Sequence, residues 1–260
     1  MEILGIDVGG SGIKGAPVDV STGELTRQRH RTKTPDRAEP DAVGRAVAGI
    51  VKHFAWEGPI GCAFPARIKK GVAHTAANID PSWIGLNVAE LFQSHAGMPF
   101  LILNDADAAG IAEMNYGAGR DRRDIVLLLT VGTGIGSALF NNQTLLPNTE
   151  FGHFFLQGVV AEHYASDKAR KDDKLSWKQW AGRFQEYLTH LERLFDLDLI
   201  ILGGGISKDK KKERYLDLIQ THADLITAEL QNDAGIIGAA CSAKVLADET
   251  VPSNGRRLKR

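Results

Sequence analysis

Three short apolar runs end in glycine-rich turns: Ile3 to Val8 in Gly9-Gly10-Ser11-Gly12, Val126 to Val131 in Gly132-Thr133-Gly134, and Leu199 to Leu202 in Gly203-Gly204-Gly205. Glycine has no Cβ and tolerates positive φ, so backbone N–H groups at such strand ends can approach anionic oxygens closely. Three of these turns in one chain imply a phosphate-handling cleft. In the first, the Ser11 hydroxyl and Lys14 add donors, and Asp7 sets a carboxylate at the strand end behind them. A carboxylate beside a phosphate site calls for a cation between the two, so Asp7 is expected to hold hydrated Mg2+. The plainer alternative is that Asp7 only caps the turn.

Gly10 to Gly15 spells G-x-G-x-x-G, yet Ile13 to Val20 continues as a strand, whereas the dinucleotide fingerprint must open a helix. Nor is this a Walker A loop, because Lys14 is followed by Gly15 and the glycine spacing is wrong.

The elements that would carry these turns follow from periodicity. Ile3 to Val8 and Ile13 to Val20 read as a β-hairpin, reversed again at Ser21-Thr22-Gly23-Glu24. Asp41 to Trp56 is helical, with Val43, Val47, Ile50, Val51 and Phe54 on one face, and Pro59 to Phe64 returns to strand. Leu101 to Leu103 is a short buried strand, and Asp105 to Tyr116 is a small-residue helix with Asp105 and Asp107 in its first turn. Asp124 to Phe140 then repeats the opening pattern of strand, glycine turn and strand. Asn104-Asp105-Ala106 is echoed by Asn232-Asp233-Ala234 before a second Gly/Ala-rich helix. The pattern predicts a duplicated α/β unit in two lobes around a cleft. Lys168 to Lys174 reads as a charged surface loop, Trp177 to Leu194 as a helix with Trp180, Phe184, Tyr187, Leu188 and Leu191 on its apolar face, and Pro252 to Arg260 as a frayed basic tail.

Composition bounds the function classes. With 260 residues, 43% hydrophobic, 24% charged and a formal net charge of -1, the chain has the profile of a soluble globular protein. Disorder, a membrane span and generic nucleic-acid binding are all disfavoured. Cys62 and Cys241 form neither a disulfide framework nor a cysteine-rich metal site, and the sequence from Met1 has no signal-peptide pattern, so a cytoplasmic location is expected.

Together the motifs Asp7-Val8-Gly9-Gly10-Ser11-Gly12-Ile13-Lys14-Gly15, Asn104-Asp105-Ala106-Asp107-Ala108-Ala109, Gly132-Thr133-Gly134-Ile135-Gly136, Glu150-Phe151-Gly152-His153 and Leu202-Gly203-Gly204-Gly205-Ile206-Ser207 resemble the ordered motifs of the ROK sugar kinases. Within that family the chain is most similar to the polyphosphate-dependent glucokinases and glucomannokinases, notably in Leu103 to Gly119 and Glu150 to His163. The resemblance implies the duplicated, two-lobed actin-like ATPase (ribonuclease H-like) fold. It implies a small N-terminal lobe over residues 1–107 and a larger one over 108–260, with a C-terminal helix at about 234–248 packing back toward the first lobe.

Phosphoryl transfer to a sugar hydroxyl needs a base, a cation and donors on the phosphate. Asp105, opening a helix after a buried strand, suits the base, and the resemblance gives it that role; by sequence alone a helix cap is equally good. By resemblance Asn104, Asp105, Glu150 and His153 bind the hexose, with Glu162 a further member. The phosphate-binding set is Gly9, Gly10, Ser11, Gly12, Lys14, Gly132, Thr133, Gly134, Gly204 and Gly205. Asn78 and Trp83 resemble a family loop near the sugar, though capping and packing explain them as well. Many ROK members carry a cysteine-rich zinc motif after the Glu-x-Gly-His segment; Phe154 to Ala169 holds no cysteine, so zinc is not expected.

The resemblance implies inorganic polyphosphate or ATP as the phosphoryl donor. A polyanion would favour a basic track, for which Arg27, Arg29, Arg31 and Lys33, then Lys168, Arg170, Lys171 and Lys174, then Lys208, Lys210, Lys211 and Lys212 are candidates, against the alternative of solvated surface charge. Glucose, with mannose as a second acceptor, is the expected sugar; an ATP-only glucokinase or an N-acetylhexosamine kinase is the alternative. A sugar-responsive repressor is disfavoured because no helix-turn-helix precedes the first glycine turn. A homodimer is common in the family.

Overall fold

The structure is a computed structural model and describes residues 1–77 and 79–250. Asn78 and the basic tail lie outside the described residues. Contacts divide the chain into two units: Met1–Leu103 with the chain from Ala239, and Asn104–Gly238. The break falls between Leu103 and Asn104 rather than after residue 107.

In the first unit the apolar run at the N-terminus forms β1 (Glu2–Val8), paired antiparallel with β2 (Ile13–Asp19). Short β3 (Glu24–Leu25) and β4 (His30–Thr32) both lie on β2. Helix α1 (Pro40–Phe54) starts with a proline, whose missing N–H is harmless at the first helical turn, and ends at Ala55 in the left-handed conformation. It buries Val43, Val47, Ile50, Val51 and Phe54, the stripe that the spacing predicts. β5 (Ile60–Phe64) runs parallel to β1, β6 (Ile68–Lys69) and β7 (Val72–Ala73) make a small ribbon, and α2 (Val88–Ala96) precedes β8 (Phe100–Asn104). The sheet order is β3-β2-β1-β5-β8. Trp83 is fully buried against Phe64 and Phe92 and donates its indole N–H to the Ala38 carbonyl at 2.7 Å, so it packs the core.

The second unit opens with α3 (Asp105–Tyr116) and repeats the plan. β9 (Ile125–Val131) pairs antiparallel with β10 (Ile135–Asn141), which carries β11 (Thr144–Leu146). After the ribbon of β12 (Phe155–Leu156) and β13 (Val159–Val160) come α4 (Ala161–Ala165), α5 (Asp167–Asp172) and α6 (Trp177–Leu194). β14 (Leu199–Gly204) runs parallel to β9, followed by α7 (Asp209–Lys212) and β15 (Asp224–Thr227). The order β11-β10-β9-β14-β15 mirrors the first sheet: an antiparallel hairpin whose first strand also takes a parallel neighbour. Both central strands are apolar at nearly every position because both faces of each sheet are covered.

Two expectations need correction. The segment read as a charged loop contains a helix, α5, capped by the Ser166 hydroxyl accepting from the Ala169 N–H at 3.1 Å. Its Asp167 is buried, which a solvated loop would not allow. The C-terminal helix is two helices, α8 (Ala234–Ser242) and α9 (Lys244–Thr250). Among the described residues no helix is long and apolar enough to cross a membrane.

Candidate active site

Asn104, Asp105, Glu150, His153 and Glu162, the residues expected at the sugar, all lie in the second unit. β8 ends at Asn104, whose side-chain oxygen accepts from the N–H groups of Ala106 at 2.9 Å and Asp107 at 3.1 Å. Asn104 is thus the N-cap of α3, and the cap fixes the next residue, Asp105, at the helix start. The Asp105 side chain is exposed there, with one oxygen 2.9 Å from the Ala106 N–H. The partial positive charge of a helix N-terminus interacts favourably with a carboxylate at that position.

Two residues further along α3, Asp107 is 2% exposed. One of its oxygens accepts from the Asn148 N–H at 2.8 Å, and the other has no hydrogen-bond partner among the described residues. Burial pushes its pKa up to about 6, the Asn148 N–H opposes the rise and the Glu150 charge adds to it. The bond ties the loop carrying Glu150 to α3. A second tie comes from β10, where the Ser137 hydroxyl bonds the Thr149 carbonyl at 2.9 Å and accepts from the Phe151 N–H at 3.0 Å.

That loop ends in a tight turn, with the His153 N–H on the Glu150 carbonyl at 2.9 Å, which brings Nδ1 of His153 within 2.8 Å of Glu150 Oε2. On the other side of the ring, Nε2 stands 3.8 Å from Glu162 Oε1. An imidazole between two carboxylates offers acceptors and donors on one surface, the mixed set that sugar hydroxyls require. Glu162 also supports the backbone, because its Oε2 accepts the Ile135 N–H at 3.1 Å at the end of the second glycine turn. The carboxylate occupies the space that a Cβ at Gly134 would need, which is why the turn is glycine there. Glu162 therefore joins the sugar-type cluster to a phosphate-type turn.

The two hairpin turns are built alike. The pair Val8 and Ile13 closes the first and the Gly9 N–H bonds the Gly12 carbonyl at 3.1 Å; Val131 and Ile135 close the second and the Gly132 N–H bonds the Gly134 carbonyl at 3.0 Å. In the third turn Gly204 takes φ +77 close to Val131, a conformation that side chains resist. In the first turn Lys14 does not reach outward: its ammonium pairs with Asp7 at 2.7 Å. Arg31, on β4, covers Gly12 and donates to the Ser11 carbonyl at 2.9 Å, while the Thr34 hydroxyl donates to the Gly9 carbonyl at 2.6 Å.

The basic clusters are not equivalent. Arg27 donates to the Phe54 carbonyl at 3.1 Å and Lys33 pairs with Asp36 at 2.5 Å. Clusters two and three instead converge on Asp167, whose carboxylate takes Arg170 at 2.9 Å and Lys171 and Lys211 at 3.0 Å each. Burial alone would raise the Asp167 pKa, but hydrogen bonds from Lys171, Lys211 and Arg170 overcome it and hold it at about 2. Asp107 and Asp167 are the residues that sequence reasoning missed. The one available signal was Asp167 placed three and four residues before Arg170 and Lys171, the spacing of neighbours on a helix.

The ROK family model matches residues 3–166. The chain belongs to the ROK family. A polyphosphate glucokinase of Mycobacterium tuberculosis (strain ATCC 25618 / H37Rv) is 45% identical over 248 residues, covering 95% of this chain and 92% of the relative. The crystal structure of the inorganic polyphosphate/ATP-glucomannokinase from Arthrobacter sp. strain KM superposes with a TM-score of 0.90 at 42% identity, covering 94% of this chain and 99% of that one. A ROK family glucokinase from Streptomyces griseus, solved with glucose and AMPPNP, has a TM-score of 0.76 at 25% identity, covering 94% and 100%. The ROK likeness carries the actin-like ATPase fold, in accord with the duplicated sheets. The ROK match takes in the first two glycine turns, Asn104, Asp105, Glu150, His153 and Glu162, whereas Asp167 and the third turn lie beyond it.

Proposed function

We propose that the protein is a polyphosphate-dependent glucokinase that transfers the terminal phosphoryl group of inorganic polyphosphate to the 6-hydroxyl of glucose. The observation that carries this reading is the 45% identity with polyphosphate glucokinases across 95% of the chain. Support comes from the exposed Asp105 at the head of α3 and the Glu150–His153–Glu162 cluster in the same unit. ATP is a second donor and mannose a second acceptor, in line with the Arthrobacter glucomannokinase. The chain's two cysteines, Cys62 and Cys241, lie far apart in sequence and suit a cytoplasmic enzyme.

In the transfer, the 6-oxygen bonds to the terminal phosphorus, the bridging P–O bond breaks, and polyphosphate leaves one unit shorter. Asp105 accepts the 6-hydroxyl proton as the bond forms. Asn104, Glu150 and His153 hydrogen-bond the ring hydroxyls and hold the acceptor in place. Backbone N–H groups of the turns at Gly9–Gly12, Gly132–Gly134 and Gly204–Gly205 bind phosphate oxygens.

Asp7 is the residue that would hold Mg2+. Its carboxylate is paired with Lys14, and among the described residues no group of three His, Cys, Asp or Glu is arranged to hold a metal ion. A single carboxylate fits a cation that keeps most of its water and takes further oxygens from donor phosphates, so Asp7 would act through water. Bound Mg2+ would neutralise charge on the transferred group.

Asp105→Asn tests the base assignment. Glucose binding should persist with little change in affinity while kcat falls by roughly 10²–10⁴. Turnover within tenfold of the wild type would remove Asp105 from the proton transfer.

A further inference from the structure

Asp167 holds three cations drawn from two separate segments of the chain. Its side chain is 3% exposed, whereas those of Lys171 and Lys211 are 59% and 31% exposed. Both ammonium groups sit on the same oxygen, Oδ2, at 3.0 Å, and Arg170 takes Oδ1 at 2.9 Å. One buried carboxylate is neutralised by one cation. Gathering three leaves a local charge of about +2 on neighbouring groups, an arrangement that repels itself unless an anion is nearby. Each lysine has three N–H donors. Arg170 also lies over the Trp177 ring at 4.1 Å, which orients it inward and away from solvent.

The place of this cluster matters. The Lys211 ammonium lies 3.8 Å from where a Cβ of Gly205 would stand, beside the third glycine turn. The backbone N–H of Lys168, next to Asp167 on α5, closes the second turn on the Gly132 carbonyl at 3.0 Å. Asp167 is thus fastened to one phosphate-type turn and holds a lysine against another. Other lysines of these clusters are differently engaged: Lys168 pairs with Asp172, and Lys212 with Asp209 at 2.8 Å.

We propose that Asp167 fixes Lys171 and Lys211 as a subsite for the part of a linear polyphosphate chain that lies beyond the transferred phosphate. This rests on the polyphosphate reading above and adds to it the residues that select a long polyanion. Lys171 and Lys211 are the binding groups; Asp167 is a positioning residue that holds their ammonium groups in one place.

Steady-state kinetics with long-chain polyphosphate, read together with the KM for glucose, tests it. Lys171→Gln and Lys211→Gln should each raise the KM for polyphosphate about fivefold or more and leave the KM for glucose unchanged. Each should also flatten the dependence of log KM on log salt by roughly 0.7, the loss of one counterion-releasing contact on a flexible polyanion. Lys178→Gln, an exposed lysine on α6 outside the cluster, should change neither quantity by as much as twofold. Asp167→Asn separates positioning from bulk charge. Losing a negative charge would by itself lower the KM for a polyanion, whereas losing the positioning raises it, and a rise is the expected result. Lysine variants within twofold of the wild-type polyphosphate KM would overturn the subsite whether or not Asp167→Asn folds. A wild-type enzyme that turns over ATP but not polyphosphate would instead overturn the functional reading and take the subsite with it.

Discussion

Asp107 keeps a carboxylate where the surroundings give its charge little support. Its unfolded-state pKa is near 3.8 and its folded-state pKa about 6, so the folded chain binds more protons between these values. Stability therefore falls as pH rises through that window and stays reduced above it. Asp107→Asn keeps an acceptor for the Asn148 N–H and removes the charge. Thermal unfolding should show the variant more stable than the wild type at pH 7.5, by up to about 3 kcal/mol, with the difference gone near pH 4. Equal stability at pH 7.5 would mean that the charge is compensated within the fold. A carboxylate retained at such a cost next to the Glu150 loop is what a functional position looks like. At this scale the place of Asp105, opening a helix directly after a strand, was readable from the sequence, whereas its role as base came from the resemblance alone. Asp107 was visible only as a helix-dipole residue because the N–H that bonds it belongs to Asn148, in a loop that reaches α3 through the fold. Asp167 escaped for the same reason: Lys211 reaches it from another segment.

At the scale of elements, packing decides more than propensity. On α6, Trp180, Phe184, Tyr187, Leu188 and Leu191 are all buried, and the Trp180 indole donates to the Ala165 carbonyl at 2.8 Å. That bond joins α6 to α4, the helix that carries Glu162. Trp180→Ala should cost about 3–5 kcal/mol in denaturant unfolding and raise the KM for glucose in the protein that remains folded. A loss below 1 kcal/mol would show that α6 can repack without its anchor. The apolar stripe of α6 follows from its period, as does that of α1. Helix α5 does not follow, because six mostly charged residues have no apolar period; what makes them helical is the Ser166 cap and the ion pairs into Asp167. The third glycine turn makes a further demand: Gly204→Ala would force a Cβ into φ +77 with Val131 backbone atoms 2.8 Å away. A loss of about 1–3 kcal/mol in stability is expected, and an unchanged unfolding midpoint would contradict the strain.

At the scale of the whole molecule, two sheets of matching order present two matching glycine turns. The duplication was readable because strand, glycine turn and strand recur with the same apolar register. The point of division was less so, since Asn104 ends a strand of the first sheet and caps a helix of the second unit. The activity proposed above belongs to the whole enzyme: a ROK fold that uses inorganic polyphosphate to phosphorylate glucose. The direct measurement is glucose 6-phosphate formation in the presence of Mg2+, with polyphosphate and ATP supplied in parallel at matched phosphate concentration. Polyphosphate is predicted to support turnover at a rate at least equal to that with ATP. Turnover with ATP and none with polyphosphate would contradict the account.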